Sequence, residues 1–340
     1  MLVYDEGTPR LGRTATVTLR GAPVCRPLVP RATAPVTLMK IHLPEPHQIG
    51  ARVEGVDVLD LSASALDELK GLVYEHRLVV FRGQRLDEER YIEFGRRLGQ
   101  IEPYFQDNYH HPEHPEIFVS SNVPMNGEKV GVAATGRMWH ADYSMFDRPL
   151  SFTMVYPQIL PRTRRGTNYI DMARVYDALP EDLKRRVEGV SAFHEATYYY
   201  KIQPKDIDRA IAELMDEFRQ LSPGAIHPLV ITHPVTRQKQ LYLSRGFTTR
   251  LIGIGHEEGQ ELLAELCDFV ERDEHVRRHG WEEGDILLWD NRVLIHHASP
   301  AGPGEASRSY RISLYDELPP YLEQRPGVEA PSRALRKTGS

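Results

Sequence analysis

The segment Leu78-Val79-Val80-Phe81 is four consecutive apolar residues, two of them β-branched. It is too short for a core helix and reads as a strand buried on both faces. Similar short runs recur at residues 117–120, 152–156, 168–170, 229–232, 241–243, 286–289 and 310–315. Helical periodicity is rarer. Leu66, Leu69, Leu72 and Val73 follow two candidate N-caps, Ser62 and Ser64, and residues 88–98 place Tyr91, Ile92, Phe94 and Leu98 near one face. Residues 205–221 and 259–276 predict two further helices. Many short strands separated by turn signals, with few helices, predict an all-β core with helical additions, a β-sandwich or jelly roll. No Gly-x-Gly-x-x-Gly follows an early strand and no phosphate-binding P-loop occurs, which argues against nucleotide-binding α/β folds.

One domain is expected over residues 39–320. Residues 1–38 are rich in Arg, Thr, Ala, Pro and Val without an amphipathic pattern, and read as a disordered arm or as sequence upstream of a start at Met39. Residues 321–340 read as a flexible tail. Apolar residues make up 41% of the chain, enough to bury a core, yet no run approaches the ~20 apolar residues a bilayer span needs. A formal charge of −6 gives no basic surface for nucleic acid. Two cysteines, Cys25 and Cys267, cannot build a disulfide framework, so a reducing, cytoplasmic setting is expected. Cys267 sits among leucines and reads as core. The expected partner is a small molecule, with neither nucleic acid nor membrane; a homodimer is compatible with the composition.

Fifteen histidines raise the question of a metal. In Trp139-His140-Ala141-Asp142-Tyr143, His140 and Asp142 are two apart, so on a strand both side chains would leave the same face. A second segment, Gly284-Asp285-Ile286-Leu287-Leu288-Trp289-Asp290-Asn291-Arg292, reads as a turn, a strand and a polar corner, and His296 follows it. A distant His joined to a His-x-Asp pair forms a 2-His-1-carboxylate face, which leaves coordination positions open for non-haem Fe(II) chemistry. Arg311, in the last predicted strand, is a fixed cation suited to hold a carboxylate.

His140 and Asp142, then Trp289-Asp290-Asn291-Arg292 with His296, then Arg311, resemble the taurine dioxygenase family of Fe(II)/2-oxoglutarate oxygenases from about residue 41 to 317. The resemblance implies a double-stranded β-helix, with His140, Asp142 and His296 binding Fe(II) and O2 and 2-oxoglutarate as cosubstrates. It further implies that Thr167 and Arg311 hold the distal carboxylate of 2-oxoglutarate, with Arg165 beside them as a cofactor or substrate cation. Ser120-Ser121-Asn122-Val123-Pro124, Thr135-Gly136, Arg165-Gly166-Thr167, Ile170-Asp171-Met172, Tyr200-Lys201-Ile202 and Ser309-Tyr310-Arg311 are together similar to the isonitrile-forming branch. Those enzymes convert an N-carboxymethyl-3-amino fatty acid to a 3-isocyano fatty acid for antibiotic biosynthesis, consuming two 2-oxoglutarate and two O2. By that resemblance Lys201, Tyr104 and Tyr109 position the substrate carboxylates, and Lys201 belongs to the catalytic set.

The chain departs from that branch in three places. Phe105 follows Tyr104 where a second Tyr can stand, Gln203 replaces an Arg, and no basic residue stands near Pro300. These changes bear on substrate identity rather than reaction class. Arg164 reads as a solvated basic residue, His110, His111 and His114 as a solvated loop, and His297 as packing on the face opposite His296. Other readings are a 2-oxoglutarate-dependent hydroxylase acting once on a small amino acid or sulfonate, a zinc hydrolase, which the absence of His-Glu-x-x-His disfavours, and a non-catalytic jelly-roll binding protein.

Overall fold

The computed structural model describes residues 14–17, 39–163, 165–202 and 206–322. Arg164, Gln203, Cys25 and most of the proposed arm and tail therefore lie outside the described residues; within the arm, Thr14–Val17 pairs antiparallel with Met39–His42.

The run 78–81 is a strand with all four residues buried. It pairs with Ile286–Asp290, which pairs in turn with Phe152–Ile159, and that strand with Arg308–Tyr315. These strands form the centre of a nine-stranded sheet. A smaller sheet has Gly166–Asp171 between Val276–Gly280 and Leu294–Ala298. The two sheets make the expected jelly-roll core, with helices added outside it.

Burial on both faces explains the unbroken apolar runs. Ile286 and Leu288 face the helices Ala63–His76 and Glu88–Leu98, packing in one cluster with Leu69, Phe81, Phe94 and Ile312. Leu287 and Trp289 face the other way, in a cluster with Val80, Tyr169 and Leu294 between the sheets. Each such side chain contributes about 1.5–3 kcal/mol on burial. Both helices start where expected: Ser62 accepts from the Ala65 N–H at 3.2 Å, and Asp87 from the Arg90 N–H at 2.9 Å.

A third cluster packs Met172–Ala178, Glu181–Val187 and His256–Val270 against Ser191–His194, with Cys267 buried in it as expected. The last helix ends at Val270 rather than 276, because residues 276–280 form the edge strand of the smaller sheet. The preceding helix begins at Ile211 rather than 205, because residues 207–209 form a turn, and the strand expected at 241–243 lies at Lys239–Leu241. Among the described residues no helix is long and apolar enough to cross a membrane.

Candidate active site

His140 and Asp142 do not lie on a strand. The His140 N–H donates to the His296 carbonyl at 3.1 Å, and the His296 N–H returns to the His140 carbonyl at 2.8 Å, an isolated antiparallel bridge. The chain then turns, with Tyr143 at φ 61°, and the turn brings Asp142 back toward both imidazoles. The expected alternation of a strand is thus replaced by a bridge and a turn that reach the same convergence.

The two rings lie 4.3 Å apart. His140 Nε2 is 3.7 Å from Asp142 Oδ1 and His296 Nε2 is 3.8 Å from Asp142 Oδ2, with all three residues buried. Those separations exceed a hydrogen bond and leave room for an ion between the atoms. His140 Nδ1 lies 2.7 Å from the Met138 carbonyl, which can only accept, so the hydrogen sits on Nδ1 and the Nε2 lone pair faces the cluster. Burial lowers the pKa of both imidazoles and keeps them neutral. Burial acts to raise the Asp142 pKa, but Arg311, the two imidazoles and a Thr153 hydrogen bond outweigh it and hold the carboxyl well below its usual range. Two imidazole lone pairs and an ionised carboxylate facing one another suit a divalent first-row metal.

Arg311 reaches this centre from the strand Arg308–Tyr315. Its Nη1 donates to Asp142 Oδ1 at 2.8 Å, and its guanidinium lies 4.0 Å over the Phe118 ring. Arg311 Nε and Nη2 are buried and have no hydrogen-bond partner among the described residues. Two orphaned donors of a buried guanidinium suit a bidentate carboxylate, as 2-oxoglutarate would provide.

The Trp-Asp-Asn-Arg corner divides its labour. Trp289 Nε1 donates to Asn291 Oδ1, Asn291 Nδ2 to Thr153 Oγ1, and Thr153 Oγ1 to Asp142 Oδ2, at 3.2, 2.7 and 2.7 Å. This chain orients the Asp142 carboxylate. Asp290 and Arg292 point away from it, Asp290 to His233 at 2.9 Å and Arg292 to Asp316, anchoring the corner to its surroundings.

All nine residues singled out in the sequence, Tyr104, Tyr109, His140, Asp142, Arg165, Thr167, Lys201, His296 and Arg311, line one cavity of about 410 Å³. Thr167 Oγ1 accepts from Trp281 Nε1 at 3.1 Å, and Arg165 lies 4.8 Å over the same indole. Tyr104 and Tyr109 pack edge to face with ring centres 4.9 Å apart. Lys201 Nζ donates to the carbonyls of Ala133 and Ala134 at 2.9 and 3.0 Å, across the cavity roof. Arg137, Thr153 and Trp281 were not singled out in the sequence; no motif or spacing distinguishes them.

Two histidine expectations resolve differently. His297 packs its ring against the Trp139 edge at 4.3 Å, as expected. His111 is buried rather than solvated, its ring 5.2 Å from His114 and 5.7 Å from Tyr310.

Comparison with known proteins gives a match to the family model "Taurine catabolism dioxygenase TauD, TfdA family" over residues 41–312. An alpha-ketoglutarate-dependent 2,4-dichlorophenoxyacetate dioxygenase from Cupriavidus pinatubonensis is 32% identical, covering 79% of this chain and 92% of that protein. An alpha-ketoglutarate-dependent sulfate ester dioxygenase from Pseudomonas putida is 28% identical, covering 85% and 93%. The crystal structure of a taurine dioxygenase from Burkholderia xenovorans superposes with a TM-score of 0.64 at 25% identity, covering 83% of this chain and 92% of that one.

Proposed function

The chain belongs to the TauD, TfdA family and is an Fe(II)- and 2-oxoglutarate-dependent oxygenase; from that premise we propose that it oxidises an N-carboxymethyl-3-amino acid, in its longer forms a fatty acid, to the 3-isocyano acid. One observation carries this reading. Four cations, Arg137, Arg165, Lys201 and Arg311, line the cavity, and among the described lining residues Asp142 is the sole carboxylate. A dianionic cosubstrate bound beside a dicarboxylate substrate answers that charge. The phenoxyacetate named for one relative carries its carboxymethyl group on oxygen; the substrate proposed here carries it on nitrogen, so in both the methylene to be oxidised lies between a heteroatom and a carboxylate.

In this reading His140, Asp142 and His296 hold Fe(II), and Arg311 and Thr167 hold the distal carboxylate of 2-oxoglutarate. Bound iron supplies the oxidising power, by coupling O2 to the decarboxylation of 2-oxoglutarate to succinate. The chain's own contribution is placement. Lys201 exchanges its two backbone carbonyls for a substrate carboxylate, Arg165 supplies a second cation, and Tyr104 and Tyr109 close the wall that turns the methylene toward the metal. Thr153 and Asn291 keep the Asp142 carboxylate from rotating. The conversion removes CO2 and four hydrogens from the substrate, so two oxidations are required, each consuming one 2-oxoglutarate and one O2 and releasing one water.

The test is anaerobic loading with Fe(II) and 2-oxoglutarate, then exposure to O2 with N-carboxymethyl-3-aminoalkanoic acids of several chain lengths. Two succinates per isonitrile is the expected result, and Lys201→Ala should still bind metal while releasing succinate without isonitrile. One succinate with a product heavier by one oxygen would replace this reading by a single hydroxylation.

A further inference from the structure

A second cavity of about 260 Å³ adjoins the first and shares Ser120, Ala134, Thr135, Arg137, Arg165 and Ala298 with it. The partition is the strap of residues 133–137. Ala298 N–H donates to the Gly136 carbonyl at 2.7 Å, Thr135 Oγ1 donates to Ser120 Oγ at 2.7 Å, and Lys201 holds the Ala133 and Ala134 carbonyls. Beyond the strap the walls are hydroxyls, an amide and the turn at residues 300–304, with Ser121, Asn122, Ser299 and Ser307 among them. Arg137 and Arg165 are the charged residues that line this space.

The two arginines differ in kind. Arg165 is buried and fixed, with Nε donating to the Ser299 carbonyl at 3.3 Å, Nη1 donating to Ser307 Oγ, and the guanidinium stacked on Trp281. Arg137 is exposed on the strap and faces both cavities. Burial, and then the charge of Arg137, lowers the pKa of both Arg165 and Lys201. Arg137 and Arg165 repel one another at this junction, no carboxylate stands among the described residues lining the smaller cavity, and a bound anion relieves the repulsion.

We propose that Arg137 and Arg165 form an anion subsite at the junction of the two cavities, taking a second carboxylate of the substrate, with the smaller cavity accommodating the polar limb that bears it. The inference rests on the reading that this cavity binds a small carboxylate substrate, and deepens it by making Arg137 a specificity residue for dicarboxylates. Arg311 lies on the metal side and lines only the larger cavity, so cosubstrate binding is separable from this subsite.

The experiment is calorimetric titration, without O2, of enzyme loaded with Mn(II) and 2-oxoglutarate. The probes are N-carboxymethyl-3-aminobutanoic acid and N-methyl-3-aminobutanoic acid, which differ by one carboxylate. Wild type should bind the dicarboxylate at least about tenfold more tightly, the scale of one charge-assisted contact. Arg137→Gln should remove most of that preference, leave the monocarboxylate and 2-oxoglutarate affinities unchanged, and be partly rescued by Arg137→Lys. Absence of a preference in wild type, or a preference that survives Arg137→Gln, overturns the subsite. Product mass decides isonitrile formation separately: a hydroxylated product together with an Arg137-dependent preference would retain the subsite and discard that reaction.

Discussion

Arg311 grips the same carboxylate that the two histidines face: its Nη1 lies 2.8 Å from Asp142 Oδ1, while His140 Nε2 lies 3.7 Å from that oxygen. The guanidinium thus repels a divalent ion from the cluster until an anion draws it away. Arg311→Gln is expected to raise the KM for 2-oxoglutarate by roughly a hundredfold, on the scale of a lost charged pair. In the absence of 2-oxoglutarate it should tighten Co(II) binding by about tenfold. Absorbance titration with Co(II) checks the second expectation, and unchanged or weaker binding would refute it.

Thr153 is not itself in the metal-facing set, yet it is the link between Asn291 and Asp142. Thr153→Val keeps the shape and removes both hydrogen bonds. Metal affinity should fall about 10- to 100-fold, the usual cost of losing a group that orients a ligand. Mn(II) titration followed by electron paramagnetic resonance measures it, with circular dichroism confirming that the chain stays folded.

Thr167 presents its hydroxyl to the cavity and accepts a hydrogen bond from Trp281 at 3.1 Å. Thr167→Val should raise the KM for 2-oxoglutarate by about tenfold, the lower end for one hydrogen bond to a carboxylate, with little change in kcat. A proportional loss of kcat instead would mean that Thr167 does not serve the cosubstrate.

His194 lies outside the metal cluster, fully buried, with Nδ1 3.2 Å from Thr248 Oγ1. Burial, and then the neighbouring His227, pushes its pKa down to about 3. A depressed folded-state pKa means that unfolding takes up a proton below about pH 6.5, so its stability contribution is present above that pH and is lost as pH falls toward 3. Metal-free protein should lose about 1.4 kcal/mol per pH unit from this group within that window. In His194→Gln the slope should be shallower by that amount; urea midpoints at pH 7, 6 and 5 provide the comparison.

Much of this molecule could be read from one-dimensional pattern. The strand Leu78–Phe81 and the helix Glu88–Leu98 sit where the sequence put them, because burial on two faces and a capped amphipathic stripe each leave a local signature. The nine residues singled out line one cavity; seven of them belong to sequence motifs, while Tyr104 and Tyr109 came only from the family resemblance. What escaped was geometry set by distant partners. The bridge that carries His140 has no strand periodicity, because it is an isolated pairing with His296 followed by a turn. The helix at 256–270 stops early because its continuation is claimed as a sheet edge. Thr153 and Arg137 are single polar residues whose meaning comes from what folds against them.

The reciprocal bridge between His140 and His296 has an evolutionary consequence. The peptide groups, rather than neighbouring side chains, set the spacing of the two imidazoles. Residues that line the cavity from other segments, Lys201, Tyr104 and Tyr109, can be exchanged without disturbing that spacing. A lineage of such enzymes can therefore trade one substrate for another by rewriting the roof, while the oxidising centre is inherited unaltered beneath it.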